Sequence, residues 1–197
     1  MLAKHNPFRT EQLLRVRYRL SGTTWEELLR RLAALDYRAA ILGPEGSGKT
    51  TLLEDLALRL RARGLRPRQL RLRAAELSFP RGLLDRLFAE VRRDDVILFD
   101  GADHLGWLAW RRFRGRSRAA GGLVVTSHTA HLLPPLIECS TSVELLEGIV
   151  EELLGAEATV LRPHLAELFE RHRGNLREVL REAYDLYAGR SDCARIG

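Results

Sequence analysis

Ala39-Ala40-Ile41-Leu42-Gly43-Pro44-Glu45-Gly46-Ser47-Gly48-Lys49-Thr50-Thr51 is the stretch on which the reading of this chain turns. Four apolar residues end in a run with glycine at 43, 46 and 48. The residues that follow, through Leu60, place apolar side chains at helical spacing up to a stop at Gly64. A buried strand, a glycine-rich turn and a helix are therefore expected in that order. Glycines let backbone amides turn inward around an anion, and the next helix aims its N-terminal N–H groups and positive dipole end at the same charge. The spacing Gly-x-x-x-x-Gly-Lys-Thr is met by Gly43, Gly48, Lys49 and Thr50. It adds an ammonium for the β- and γ-phosphates of a nucleoside triphosphate and a hydroxyl for Mg2+. Pro44, Glu45, Gly46, Ser47 and Thr51 complete the segment expected to contact the cofactor, which is expected to be ATP with Mg2+.

A second motif points to the same ion. Val96-Ile97-Leu98-Phe99 is apolar throughout, as a central strand covered on both faces should be, and it ends at Asp100. Ligands of open α/β sheets bind at the carboxyl edge of the strands, so Asp100 is expected to reach the metal held by Thr50. Hydrolysis also requires a group that orients water, and Asp103 is the next carboxylate along. Asp103 has an alternative role as N-cap of a helix carrying Leu105, Trp107 and Leu108.

Outward from these motifs, Thr24-Trp25-Glu26-Glu27 reads as a capping box before a helix with Leu28, Leu29, Leu32 and Leu35 on one face. Further strands are expected at 69–72, 122–126 and 136–139, and helices at about 82–92 and 103–118. Strands alternating with helices at this spacing predict an α/β fold with a mainly parallel five-stranded sheet in a three-layer core. From Thr141 onward no strand signal remains. Thr141-Ser142-Val143-Glu144 reads as a second capping box, and helical patterns fall near 142–154, 162–172 and 175–188. The expected organisation is an α/β core over 1–140 with an N-terminal segment, and a small helical lid over 141–197.

These residues resemble the P-loop NTPases of the AAA+ and signal-transduction (STAND) groups. Asp100-Gly101-Ala102-Asp103-His104 is similar to the metal-binding segment of NACHT-type members, and Leu123-Val124-Val125-Thr126-Ser127-His128 to their next strand, which ends in Thr-Ser-Arg. The resemblance implies a sheet ordered 5-1-4-3-2, with Thr126 or Ser127 as the polar sensor between metal and γ-phosphate. Arg173-Gly174-Asn175-Leu176-Arg177 looks like the start of the last lid helix of AAA+ proteins, which implies that Arg177 touches the γ-phosphate; the alternative is an ordinary surface arginine. Asn6-Pro7-Phe8 resembles the segment that lines the adenine pocket in several such ATPases. Two positions depart from the pattern: Gly101 stands where glutamate usually follows the metal aspartate, and His128 replaces the arginine.

Composition narrows the partners. The formal net charge is +6, and Lys4 and Lys49 are the only lysines among 32 basic residues, so the single internal lysine lies where the phosphate loop requires it. Arg111-Arg112-Phe113-Arg114-Gly115-Arg116-Ser117-Arg118, with Trp107 and Trp110 before it, could bind nucleic acid or offer an arginine in trans to a neighbouring subunit's nucleotide. The simpler expectation is that Trp107, Trp110 and Phe113 form a buried stripe beneath solvated arginines. Two cysteines without metal-ligand spacing favour a reducing compartment and a cytoplasmic address, and no apolar run approaches the roughly 20 residues of a membrane helix. The function expected is a Mg-dependent ATPase that controls a protein partner or its own oligomeric assembly. The alternatives are a nucleotide-gated adaptor or DNA-binding accessory with little turnover, and a P-loop kinase. A GTPase is disfavoured because no Asn-Lys-x-Asp segment is present.

Overall fold

The computed structural model describes residues 18–73, 79 and 82–193, so the Asn6-Pro7-Phe8 segment lies outside the described residues. In chain order the elements are α1 (Trp25–Ala34), β1 (Arg38–Leu42), α2 (Lys49–Ala62), β2 (Arg66–Arg71), α3 (Leu83–Glu90), β3 (Asp95–Asp100), α4 (Trp107–Arg116), β4 (Gly122–Ser127), β5 (Pro135–Glu138), α5 (Val143–Leu154), α6 (Arg162–Arg171) and α7 (Leu176–Cys193). Two compact units result. One holds residues 18–43 and 49–139, and the other holds residues 44–48 together with 140–193.

The first unit is a five-stranded sheet in the order β2-β3-β4-β1-β5, with every pairing parallel. This is the order 5-1-4-3-2 that the family resemblance implies, read from the other edge. The sheet is apolar on both faces, and period-2 alternation sorts its side chains into two cores. Ala39, Ile41, Val96, Leu98 and Val124 pack with Leu28, Leu32, Leu52, Leu56 and Leu60 of α1 and α2. Ala40, Leu42, Ile97, Phe99, Leu123 and Val125 face the opposite way, with Trp110 and Phe113 of α4 and the partly buried Leu84, Leu87 and Phe88 of α3. Helix α1 starts as expected: Thr24 Oγ1 accepts from Glu27 N at 3.2 Å, and the Glu27 carboxylate accepts from Thr24 N at 2.9 Å. Strand β2 begins at Arg66, three residues before the expected start. Pro67, which argues against a central strand, is accommodated because β2 lies at the sheet edge.

Three expectations are corrected. The helix expected from Asp103 begins at Trp107, capped by Gly106 without a side-chain bond; Ala102–His104 is a separate 3-10 turn, so Asp103 is not the N-cap. Trp107 is not part of a buried stripe. It is 68% exposed, whereas Trp110 is 7% and Phe113 1% exposed. At about 100° per residue, Trp107 lies about 120° around the helix from Phe113, so the three aromatics cannot share one narrow face. The third correction is at α5, whose N-cap is Ser142 rather than Thr141; its hydroxyl accepts from Leu145 N at 3.2 Å.

The second unit has its own core. Leu146 and Val150 of α5, Leu165 and Leu168 of α6, and Val179, Leu180, Ala183 and Tyr187 of α7 bury one another with Leu161 of the intervening 3-10 turn. No helix among the described residues is long and apolar enough to cross a membrane.

The aromatic cluster makes the placement of α4 testable. Phe113 sits at its centre, with ring centroids 5.0 Å from Phe99, 5.6 Å from Phe88 and 6.1 Å from Trp110. Phe113→Ala is expected to lose about 3–5 kcal/mol in urea unfolding, and Trp107→Ala to stay within about 0.5 kcal/mol of the parent.

Candidate functional site

The loop after β1 owes its shape to three glycines with positive φ: Gly43 at 146°, Gly46 at 74° and Gly48 at 84°. L side chains rarely adopt such angles. Ser47 is buried and ties the turn together, its hydroxyl donating to the Pro44 carbonyl at 2.8 Å. Within the unit that holds residues 44–48, Gly46 abuts Asn175. A Cβ at Gly46 would lie 2.0 Å from the Asn175 side-chain oxygen, so glycine is required there for packing as well as for φ. Asn175 also caps α7, accepting from Glu178 N at 3.4 Å, and Arg177 stands exposed two residues further on. Pro44 and Glu45 are exposed, and Thr51 follows Thr50 in the first turn of α2.

Lys49 is the first residue of α2, and its Nζ donates to the Gly43 carbonyl at 2.7 Å. The ammonium is thus held by a neutral acceptor at the point where the chain leaves β1. An anion would be a stronger acceptor for that donor. A 14-residue helix beginning here also leaves its first N–H groups to be satisfied by something other than the helix.

Asp100 ends β3, and three neighbours converge on it. Thr50 Oγ1 donates to Oδ2 at 3.0 Å, Thr126 Oγ1 donates to Oδ1 at 2.7 Å, and Arg71 Nε lies 3.3 Å from Oδ2. Thr126 completes its own pairing by accepting from Gly101 N at 2.8 Å. Of the two sensor candidates, the structure therefore brings Thr126 to Asp100. Ser127 is turned to local use, donating to the Thr129 carbonyl at 2.9 Å and accepting from Thr129 N at 3.1 Å. Arg71 carries no motif that would single it out in the sequence, yet it is the register partner of Asp100 across the β2–β3 pairing. A carboxylate and a hydroxyl 3.0 Å apart form a hard oxygen pair that suits Mg2+, which prefers one or two protein oxygens supplemented by phosphate and water. The residues present fit the expected metal.

Asp103 lies beyond this cluster, in the 3-10 turn after β3, and it is paired with His128, the residue that follows β4. His128 N donates to Asp103 Oδ2 at 3.1 Å, and the imidazole Nδ1 contacts the same oxygen. Burial alone would raise the Asp103 pKa. The backbone N–H and ring of His128 outweigh that and hold the carboxyl below the usual aspartate range, so it is ionised at neutral pH. With Nδ1 committed to a carboxylate, Nε2 is the ring atom left to meet water. Nothing in the sequence ties His128 to Asp103; only the adjacency of β3 and β4 does so.

Gly101 explains the departure from glutamate after the metal aspartate. Its φ is 84°, and a Cβ there would lie 2.2 Å from the Leu72 carbonyl oxygen and 2.9 Å from the His104 ring. Any side chain at 101 meets a rigid backbone atom in a conformation that already disfavours it.

The folded chain is similar in structure to two proteins of known architecture. A point mutant of RuvB from Thermotoga maritima superposes with a TM-score of 0.53 over 81% of this chain and 61% of its own, at 16% identity. AMPPCP-bound DnaA from Aquifex aeolicus gives 0.53 over 82% and 61%, at 14% identity. The chain thus spans about three-fifths of the length of each. No protein-family profile matches the sequence, and neither does any curated protein. The parallel sheet in the order 5-1-4-3-2, with the glycine loop after β1, is an α/β fold of P-loop NTPase kind, shared with these two structures.

Proposed function

We propose that this chain binds Mg2+-ATP at Gly43–Thr50 and hydrolyses it, using its nucleotide state to control a partner or its own assembly. The observation that carries the reading is the meeting at Asp100. The carboxylate ending β3 accepts from the hydroxyl that opens α2 and from the hydroxyl near the end of β4. Two motifs 50 residues apart in sequence thereby supply adjacent oxygens for one cation. The fold shared with AMPPCP-bound DnaA supports an adenine nucleotide as ligand. The position of β4 between β1 and β3 favours this reading over a nucleotide kinase, in which the loop strand and the metal strand are typically adjacent.

In this account Lys49 exchanges the Gly43 carbonyl for phosphate oxygens, and the glycine-loop amides take the remaining charge. Thr50 and Asp100 hold the metal, which when bound neutralises developing negative charge on the transferred phosphoryl group. Thr126 fixes the Asp100 carboxylate and serves as the polar sensor between metal and γ-phosphate. Asp103, ionised and oriented by His128, forms with it the pair that positions water, with the imidazole Nε2 as the proton-accepting atom. Arg177 contributes a guanidinium at the start of α7, beside the residue that packs on Gly46. The assignment to the NACHT-like branch rests on the small residues after Asp100 and on Thr126-Ser127.

A second reading, a nucleotide-gated adaptor with little turnover, is favoured by Gly101, because the backbone there excludes the usual glutamate. Turnover measurements separate the two.

Lys49→Ala is expected to weaken Mg-ATP binding by about 10- to 100-fold in calorimetry, the worth of a charge-assisted contact. Asp103→Ala and His128→Ala should each retain binding and slow phosphate release on the order of 100-fold. The double variant should be little slower than either, since the two act as a unit. Turnover unchanged in both single variants would remove the pair from the mechanism, and a parent that binds ATP without appreciable turnover would leave the adaptor reading. Arg177→Ala is expected to bring ATP and ADP affinities closer together; an unaltered preference in the same titration would return Arg177 to the surface.

A further inference from the structure

The outward face of α4 lies outside the residues proposed above to hold the nucleotide, and it carries the most exposed large apolar side chains of the first unit. Trp107 is 68% and Leu108 61% exposed, the two most exposed large apolar side chains among the described residues. Arg111 and Arg112 follow one turn later on the same solvent-facing arc, and the Arg111 guanidinium sits 5.3 Å from the Trp107 ring centroid. Arg114 adds to this charge within the helix, and Arg118 extends it into the following 3-10 turn. Among the described residues none of Arg111, Arg112, Arg114 and Arg118 has an acidic partner, whereas the neighbouring Arg116 is paired with Asp85 at 2.7 Å.

The charge continues to the edge of the sheet where β1 begins. Arg38 donates to the Ser117 and Ala120 carbonyls at 3.1 and 3.0 Å. Its pKa is pulled down by burial and then by the fields of Arg118, Arg114 and Arg93, against an opposing pull from Asp36. Like charges gathered at this density lower the stability of the folded chain unless an anion joins them.

We propose that this face of α4, from Trp107 to Arg118, binds single-stranded nucleic acid, with Arg111, Arg112, Arg114 and Arg118 on the phosphates and the Trp107 indole stacked on a base. Charge complementarity fixes the class of partner. A polyanion with a flat apolar face in every repeat matches arginines interleaved with an exposed indole. A lipid surface is matched less well, because the broad apolar face of α4, with Trp110 and Phe113, is already spent on the protein core. An acidic polypeptide would satisfy the arginines and leave the indole without a partner.

The test is fluorescence anisotropy of a labelled short oligothymidylate titrated with the full chain in nucleotide-free buffer, so that the outcome is independent of ATP binding. The parent is expected to bind with an affinity that falls steeply with salt. Arg111→Gln/Arg112→Gln should bind at least about 10-fold more weakly, with a log–log salt slope shallower by about 1.4, since each phosphate no longer neutralised accounts for about 0.7. Trp107→Ala should bind about 5-fold or more weakly with little change in that slope, as removal of a stacking platform requires. Both changes are at exposed positions, and unchanged circular dichroism and melting would establish that the variants are folded. The proposal is overturned if the parent does not bind the oligonucleotide at low salt, or if the variants bind as the parent does. It is equally overturned if phosphatidylserine vesicles or poly-glutamate bind to this face and oligothymidylate does not.

Discussion

One carboxylate holds the candidate site of this chain together. Asp100 is delivered to the edge of the sheet by five residues of β3 that are wholly buried, so its position is set by the packing of both cores rather than by a flexible loop. The hydroxyls of Thr50 and Thr126 donate to its two oxygens, and Arg71 stands beside one of them. Each of these neighbours comes from a different element, and the approach of Arg71 and Thr126 depends on the parallel register that aligns the strand ends. A slip of one residue in β3 would turn Asp100 to the other face and break all three contacts at once.

The same packing limits what can follow that aspartate. Gly101 adopts a left-handed conformation against the Leu72 carbonyl, and in doing so it donates its N–H to Thr126. The tight turn thus secures the Asp100–Thr126 contact while excluding a carboxylate at the next position. The nearest acid that remains is Asp103, set back in the following 3-10 turn and joined to His128. In this account the water-positioning task has moved from one residue to a pair because the backbone after β3 leaves no room at 101.

Much of this is legible in the sequence, for identifiable reasons. The glycine loop, the apolar run into Asp100 and the alternation of strand and helix all rest on local patterns, and the parallel sheet has the order that the family resemblance implies. What escapes a reading of the sequence depends on non-local geometry. The pairing of His128 with Asp103 and the approach of Arg71 to Asp100 follow only from which strands are neighbours. The packing of Asn175 on Gly46 joins residues far apart in the chain. The start of α4 lies later than its sequence suggests because Asp103 offers good capping chemistry, yet its carboxylate is used across the sheet edge instead. Aromatics three apart suggest a stripe that would bury Trp107, but at the first position of α4 it faces away from the core that Trp110 and Phe113 occupy.

The central claim is that loop amides, the Lys49 ammonium and a cation held by Thr50 and Asp100 together neutralise a triphosphate. Isothermal titration of the folded chain with ATP, run with and without magnesium, addresses it most directly. The account predicts saturable heat for one equivalent of ATP, with tighter binding when magnesium is present. Absence of heat for any purine triphosphate, from protein whose circular dichroism reports a folded α/β chain, would contradict it.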